Sequence, residues 1–114
     1  MSSTALLFVS LNLIMLVLGQ LLWKYGLQSL GGFSIMGVVT SIPIWAGIFI
    51  YALATLVYLK VLSLVPLSVA YPIQSLCYVG GMVGAYFLFG ETINLQMIIG
   101  MGVILAGVLL IANA

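Results

Sequence analysis

The chain has 114 residues, of which 66% are hydrophobic and only 3% are charged. The charged side chains are Lys24, Lys60 and Glu91, and histidine is absent. A soluble domain carries roughly a quarter of its residues as charged side chains. The composition therefore excludes a water-facing surface of ordinary polarity and predicts an integral membrane protein.

The same composition excludes several classes of function. A net charge of +1 is too small for a nucleic-acid-binding surface. Cys77 is the single cysteine, so it cannot close an intrachain disulfide, and without histidine the chain lacks the usual metal-ligand set. We expect Cys77 to be a small, buried apolar residue. One carboxylate without histidine offers no acid-base pair, so we expect neither an enzyme, nor catalytic residues, nor a cofactor.

The first predicted helix covers about residues 5–23. It is expected to end at Lys24, whose long side chain can reach the membrane interface. Gly26, Gly31 and Gly32 follow and break the apolar pattern. The glycines therefore predict a connection directly after this helix.

The second predicted helix covers about residues 43–62, with Pro43 in its first turn. An apolar piece from Phe33 to Thr40 precedes it. This piece either extends the second helix or lies in the membrane interface, and the sequence does not decide between the two.

The third and fourth helices are predicted over about residues 67–89 and 95–112. Pro72 lies inside the third helix, where it removes a backbone hydrogen bond and predicts a bend. Gly80 and Gly84 further along either add to this bend or let a neighbouring helix approach closely. Asn94 or Thr92 is expected to cap the fourth helix.

Four apolar segments of this length predict a single all-α transmembrane domain over residues 1–114. Short connections make neighbouring helices antiparallel, so both termini fall on one side of the membrane, here called side A. Lys24 and Glu91 then fall on the opposite side B, and Lys60 returns to side A. Because neither side has an excess of lysine, we expect the chain to insert in both orientations and to pair as an antiparallel dimer.

Polar and aromatic side chains at helical spacing form a stripe on each of the first three helices. On the second helix the stripe consists of Tyr51, Thr55 and Tyr58. Three such stripes predict a shared polar cavity, although each group alone could simply form a hydrogen bond between helices. The candidate substrate contacts are Gln20, Tyr71 and Gln74, followed by Asn12, Tyr58, Ser75 and Tyr78.

The fourth helix has almost no polar side chain, but it carries Gly100, Gly102 and Gly107. Small residues about one heptad apart form a flat strip that suits close helix packing. We therefore expect these glycines to form the dimer contact; packing within the protomer is the alternative.

Three segments carry a resemblance to known transporters. They read V-L-G-Q-L-L-W-K from Val17, V-P-L-S-V-A-Y-P-I-Q-S-L from Val65 and I-I-G-M-G-V-I-L-A-G-V-L-L-I from Ile98. In these segments the chain resembles the drug/metabolite transporter (EamA-like) superfamily. Its size and the V-P-x-x-x-A-Y-x-I core resemble the small multidrug resistance proteins, whereas G-Q-L and A-Y-P are closer to undecaprenyl-phosphate-aminoarabinose flippase subunits. The resemblance implies an antiparallel dimer, with the first three helices around the substrate and the fourth at the dimer contact.

The resemblance also implies a difference in substrate. The multidrug exporters have a glutamate for protons and cations at the position of Leu16 and a tryptophan at the position of Gln74. A leucine has no proton to exchange, so proton-driven export of cations is not expected. The flippase-like subunits manage without this carboxylate and move an anionic polyprenyl-phosphate lipid that bears a sugar. For such a substrate, Lys24 and Lys60 are the candidate phosphate contacts.

The sequence thus predicts a multi-pass transporter of the bacterial inner membrane whose partners are membrane lipid and an amphiphilic or lipid-linked substrate. Exporters of small metabolites or hydrophobic compounds on the same scaffold remain an alternative, as does a non-transporting partner subunit. The dimer partner is a second copy or a homologous chain. Each lysine could instead be a plain membrane anchor, and Lys24 could pair with Glu91.

Overall fold

The structure is a computed structural model that describes residues 2–114. The helices in this range are α1 (Ser3–Leu30), α2 (Ile35–Thr40), α3 (Ile42–Leu64), α4 (Leu67–Ile73), α5 (Leu76–Phe89) and α6 (Leu95–Ala112). Because α4 and α5 follow one another, the described residues contain four helical segments that are long and apolar enough to cross a membrane. The prediction of an all-α, four-helix membrane protein is confirmed.

The first helix is longer than the sequence predicted, since α1 continues past residue 23 and contains Lys24 within it. The reason is Gly26, which is buried against α3 and does not end the helix. A Cβ atom at this position would lie 2.7 Å from Cγ1 of Ile44 and 3.2 Å from Oγ of Ser41. Gly26 is therefore a position of close helix contact.

α1 ends in a glycine turn. Gly31 adopts a left-handed backbone with φ of 74°, and its N–H donates to the carbonyl of Gln28. The N–H of Gly32 donates to the carbonyl of Leu27. These paired hydrogen bonds satisfy two of the last carbonyls of the helix, which is why the helix ends here and not at Gly26.

The apolar piece before the second crossing forms a separate helix, α2, and does not extend α3. Ser34 caps its start by accepting a hydrogen bond from the N–H of Gly37, and Ser41 after it has an extended backbone. Pro43 then lies in the first turn of α3. The side chains of α2 remain largely uncovered by protein, including those of Ile35 and Met36.

α1 and α3 form a closely packed pair. A Cβ atom at Gly47 would lie 2.6 Å from the Trp23 ring and 3.1 Å from the carbonyl oxygen of Gly19. The Trp23 ring stacks on Tyr51 at 4.9 Å between centroids, and its N–H donates to the carbonyl of Ile44. The two glycines thus allow an aromatic contact between backbones that lie close together.

The third predicted helix is divided into α4 and α5 at Gln74 and Ser75. Pro72 has no N–H to donate within the helix. The next turns are tight, since the N–H of Ser75 donates to the carbonyl of Pro72 at 3.0 Å and that of Cys77 to the carbonyl of Gln74 at 2.9 Å. The joint is therefore a short, tight turn of right-handed helical backbone, and the half-buried side chain of Gln74 lies between the two half-helices.

Gly80 and Gly84 lie against α1. Their added Cβ atoms would lie 2.9 Å from Val17 and 3.0 Å from Leu21. This supports close helix approach as the role of the pair, because branched side chains of α1 fill the space above each glycine.

An apolar cluster closes the side A end of the bundle, where the two termini meet. It joins α1, α3, α4 and α6 through Ala5, Val9, Val61, Val65, Ala70, Ile73 and Val108. Lys60 lies at this end, with its Nζ 5.9 Å from the centroid of the Phe8 ring. The middle of the bundle, towards side B, is consequently where space remains.

Candidate functional site

A groove of about 540 Å³ lies between α1, α3, α4 and α5. The predicted contacts that line this groove are Gln20, Tyr71, Gln74, Ser75 and Tyr78. Four of these come from the third crossing, where residues 71, 74, 75 and 78 follow helical spacing and therefore share one face. The structure thus brings amides, a hydroxyl and aromatic rings together, with no charged group in the lining.

The groove is open at its side. Tyr71 and Tyr78 are 67% and 69% exposed, and Gln20 is exposed as well. In a protein that crosses the membrane, such an opening faces lipid or a second protein chain. A molecule with a long apolar tail could therefore place a polar head in the groove while its tail stays in the bilayer.

A second, smaller cavity of about 190 Å³ lies beside the groove, between α1 and α3, with the exposed Thr55 in its lining, and we call it the inner chamber. Its polar lining consists of Asn12, Thr55, Tyr58 and Gln74, together with Tyr51. Leu16, Tyr51 and Gln74 line both the groove and the inner chamber. These three residues therefore form the boundary between the two spaces.

Asn12 forms hydrogen bonds to two other crossings. It is only 2% exposed; its Nδ2 donates to the carbonyl of Ala54 at 2.8 Å, and its Oδ1 accepts from Nε2 of Gln74 at 3.1 Å. One amide thus holds α1 to α3 and to the joint between α4 and α5. For Asn12 the structure favours the interhelical hydrogen bond that the sequence left as the alternative to substrate contact.

Tyr58, in contrast to Asn12, forms no side-chain hydrogen bond. Its hydroxyl is buried and has no partner among residues 2–114. Leaving a buried hydroxyl unpaired costs about 1–3 kcal/mol. Tyr58 lines the inner chamber and not the groove, so the predicted contacts are distributed over two connected spaces.

Sequence reasoning missed some lining residues. Tyr51 was part of the stripe on the second helix but was not chosen as a contact, although it borders both cavities. The expectation for Cys77 was wrong, because its side chain is half-buried and lines the groove. Its position three residues after Gln74 was the available signal, since residues at this spacing share a helix face.

The two lysines lie outside both cavities. Lys24 pairs with Glu91, with 3.8 Å between Nζ and Oε2 and about half of each side chain exposed. An exposed pair of this kind contributes roughly 0–1 kcal/mol. Because Lys24 follows Gln20 by one helical turn, the pair lies at the side B end of the groove.

The glycines of α6 have open space around them, with Gly100 and Gly107 on one face of the helix and Gly102 on the other. Within the described part of the chain, no heavy atom lies within 4 Å of a Cβ atom added at Gly100, Gly102 or Gly107. Packing within the protomer therefore does not explain these glycines. A contact with a second chain stays a prediction.

Comparison with known proteins finds bacterial relatives that carry the name probable 4-amino-4-deoxy-L-arabinose-phosphoundecaprenol flippase subunit ArnE. The relative from Hamiltonella defensa is 37% identical over 61% of this chain and 65% of its own length. That from Erwinia tasmaniensis is 36% identical over 61% and 67%, respectively. A relative from Pseudomonas fluorescens is 34% identical over 84% of this chain and 86% of its own length.

The alignment thus covers just under two thirds of the first relative and most of the third. No protein-family model and no solved structure matches the chain.

Proposed function

We propose that this chain, which belongs to the ArnE family of flippase subunits, moves a polyprenyl-phosphate lipid that bears a sugar across the bacterial inner membrane. The relatives are named for 4-amino-4-deoxy-L-arabinose-phosphoundecaprenol, and this lipid is the substrate that we assign to the chain. The observation that carries the proposal is the laterally open, uncharged polar groove in the middle of a multi-pass apolar bundle.

The groove offers what a sugar headgroup needs. The amides of Gln20 and Gln74 can both donate and accept hydrogen bonds, which matches sugar hydroxyls. Tyr71 and Tyr78 add aromatic faces and hydroxyls at the open side. Leu16 occupies the wall where the multidrug exporters carry their glutamate, so the 4-amino group of the sugar would meet neutral acceptors, such as the amide oxygens of Gln20 and Gln74, and no carboxylate.

The phosphate would bind near Lys24. This lysine stands one helical turn beyond Gln20, so a headgroup in the groove can place its phosphate at the side B end. Lys24 would then leave Glu91 for the phosphate. Loss of the Lys24–Glu91 pair costs little free energy, because both side chains are about half exposed and the two charged atoms are 3.8 Å apart.

The chain would act with a second protein chain. The relatives are named as subunits, and the strip formed by Gly100 and Gly107 has no partner within the described protomer. A second copy or a homologous chain packed against α6, in antiparallel orientation, would cover this strip.

The test is reconstitution in proteoliposomes, alone and together with a homologous chain from the same bacterium. We expect inward-to-outward movement of 4-amino-4-deoxy-L-arabinose-phosphoundecaprenol, and a loss of most of this movement on Gln20→Leu or Gln74→Leu. Gln28→Leu is the matched control, because Gln28 is exposed and lies outside both cavities.

Movement of soluble amphiphiles, but never of the lipid-linked sugar, would overturn the proposal in favour of a small-molecule exporter. Movement of the lipid by the homologous chain at the same rate with and without this chain would show a non-transporting subunit.

A further inference from the structure

An apolar pocket of about 300 Å³ lies between α1, α2 and α3 near side B, and we call it the side B pocket. Its lining consists of Trp23, Leu27, Phe33, Val38, Ile44 and Ile48. The only polar side-chain atom in this lining is the indole nitrogen of Trp23, and its N–H donates to the carbonyl of Ile44 at 3.2 Å. The lining therefore offers an occupant apolar contacts and no free polar side chain.

The short helix α2 is held in place as one wall of the side B pocket. The N–H of the Trp45 ring on α3 donates to the carbonyl of Val39 at 2.6 Å. A Cβ atom at Gly37 would lie 3.2 Å from Cδ2 of Leu30, so α2 also packs against the last turn of α1. The pocket is therefore part of the folded structure and not a gap beside a loose segment.

The side B pocket continues the row of cavities along one face of α1. The groove is lined by Leu16 and Gln20 of this helix. The side B pocket is lined by Trp23 and Leu27, which follow at helical spacing and therefore share that face. Trp23 stacks on Tyr51, which lines the groove, at 4.9 Å between ring centroids. This stacked pair separates the polar groove from the apolar pocket.

The order of these features along α1 matches the order of groups in the proposed substrate. Lys24 stands four residues after Gln20 and three residues before Leu27, which is roughly 6 Å and roughly 4.5 Å along the helix axis. In a polyprenyl-phosphate sugar the phosphate joins the sugar to the tail. With the sugar in the groove and the phosphate at Lys24, the first isoprene units of the tail therefore lie beside the side B pocket.

We propose that the side B pocket binds the phosphate-proximal isoprene units of the substrate's polyprenyl tail, while the rest of the tail stays in the bilayer. The proposal rests on the function proposed above and adds to it a site for the tail. Bilayer lipids are as apolar as the pocket, so apolarity alone does not select an occupant. The selection comes from the covalent link, because a tail joined to a bound headgroup is at high effective concentration beside the pocket.

Photo-crosslinking identifies the occupant. The photoreactive residue p-benzoyl-phenylalanine is incorporated in place of Phe33, which lines the pocket, or in place of Phe87 as the matched control. The two phenylalanines are 78% and 76% exposed, and Phe87 lies outside all three cavities, near the side B end of α5. The full chain, with its homologous partner, is reconstituted in vesicles of phosphatidylethanolamine and phosphatidylglycerol that contain 4-amino-4-deoxy-L-arabinose-phosphoundecaprenol. Mass spectrometry then identifies the lipid adducts.

We expect the polyprenyl lipid to be enriched at least about tenfold among the adducts at position 33, relative to its share of the vesicle lipids, because it is tethered there. At position 87 the adducts should follow the vesicle composition. The same polyprenyl share at both positions would mean that the pocket is an ordinary lipid-facing surface, and it would overturn the proposal.

Narrowing the pocket distinguishes binding inside it from contact with its rim. Val38→Trp places a large ring in the pocket, and Val39→Trp is the matched control, because Val39 is the next residue of α2 and lies outside the pocket. We expect Val38→Trp to reduce the enrichment at position 33 to the level of position 87, and Val39→Trp to preserve it. Enrichment that persists in Val38→Trp would contradict a tail held within the pocket.

The transport assay separates a failure of this site from a failure of the proposed function. If the wild-type protein moves the lipid-linked sugar but position 33 shows no enrichment, the tail site is refuted and the function stands. If the protein moves no lipid-linked sugar but position 33 is still enriched, transport is refuted and the tail site stands.

Discussion

Asn12 shows how a single polar side chain organises an apolar bundle. Its amide is almost fully buried and contacts two other crossings, through the Ala54 carbonyl and the Gln74 side chain. In a membrane, hydrogen bonds between helices replace part of the hydrophobic driving force that water supplies to soluble proteins. Asn12 therefore contributes to stability and, through Gln74, to the shape of both cavities.

Replacement of Asn12 by leucine should lower stability. The change removes two hydrogen bonds and leaves the Gln74 amide without its partner, which we expect to cost about 1–2 kcal/mol. Thermal unfolding in detergent measures the loss. Asn113→Leu is the control, because Asn113 is exposed and bonds only to Leu109 in its own helix. Equal melting temperatures for the two variants would contradict the role of Asn12.

The sequence could predict residues of the site only where a single helix decides which side chains share a face. Helical spacing was enough to select Gln20, Tyr71 and Gln74, because residues four or three apart share a face whatever the rest of the fold does. The tie between Asn12 and the Ala54 carbonyl depends on the register of one helix against another. No pattern within a single segment contains that register.

At the scale of the elements, glycine has different structural roles at different positions: it either ends a helix or allows close helix packing. Gly26 was read as a helix breaker, yet it packs against Ile44, whereas Gly31 does end α1. The distinction lies in the neighbouring helix, which the sequence of α1 alone cannot reveal. The position of Pro72 did indicate a weak point, but the tight turns at Gln74 and Ser75 determine that the third crossing becomes two helices.

The contact between α1 and α3 makes Gly47 the glycine least tolerant of a side chain. Gly47→Ala would place a methyl group 2.6 Å from the Trp23 ring and 3.1 Å from the Gly19 carbonyl oxygen. Overpacking of this kind costs roughly 1–3 kcal/mol, which thermal unfolding would show.

Gly81→Ala provides the control for Gly47→Ala, because no heavy atom of the described chain lies within 4 Å of its added Cβ atom. Alanine is the better helix former, so this variant should be neutral or slightly more stable. If both alanine variants were equally stable, the close packing of α1 on α3 would be refuted.

At the scale of the whole molecule, the charges are almost balanced across the membrane. Lys24 lies at the end of the bundle opposite the termini, and Lys60 lies at the end that holds them. Lysine excess normally determines which side faces the cytoplasm. We therefore still predict insertion in both orientations, as an antiparallel pair requires if its two protomers are copies of one chain.

Single lysine substitutions should shift this balance. Lys60→Gln leaves the only lysine on side B, so most copies should have their termini outside the cytoplasm. Lys24→Gln should have the opposite effect. Reporter fusions at the C-terminus that are active only on one side of the membrane measure the fraction in each orientation. One fixed orientation that neither substitution changes would contradict the prediction.

We predict that water, as well as lipid, reaches the polar groove among the first three crossings, and Cys77 provides the most direct measurement of this. It is the only cysteine of the chain and it lines the groove. The experiment records the rate at which a charged methanethiosulfonate reagent modifies the protein in lipid nanodiscs. The control is a Cys77→Ser, Leu18→Cys variant, because Leu18 is exposed on α1 outside both cavities.

We expect Cys77 to react about tenfold faster than the cysteine at position 18, because a charged reagent reaches a thiolate through water and not through lipid. We also expect 4-amino-4-deoxy-L-arabinose-phosphoundecaprenol to protect it. Reaction at Cys77 no faster than at the control position, or unaffected by this lipid, would contradict the groove as the path of the substrate.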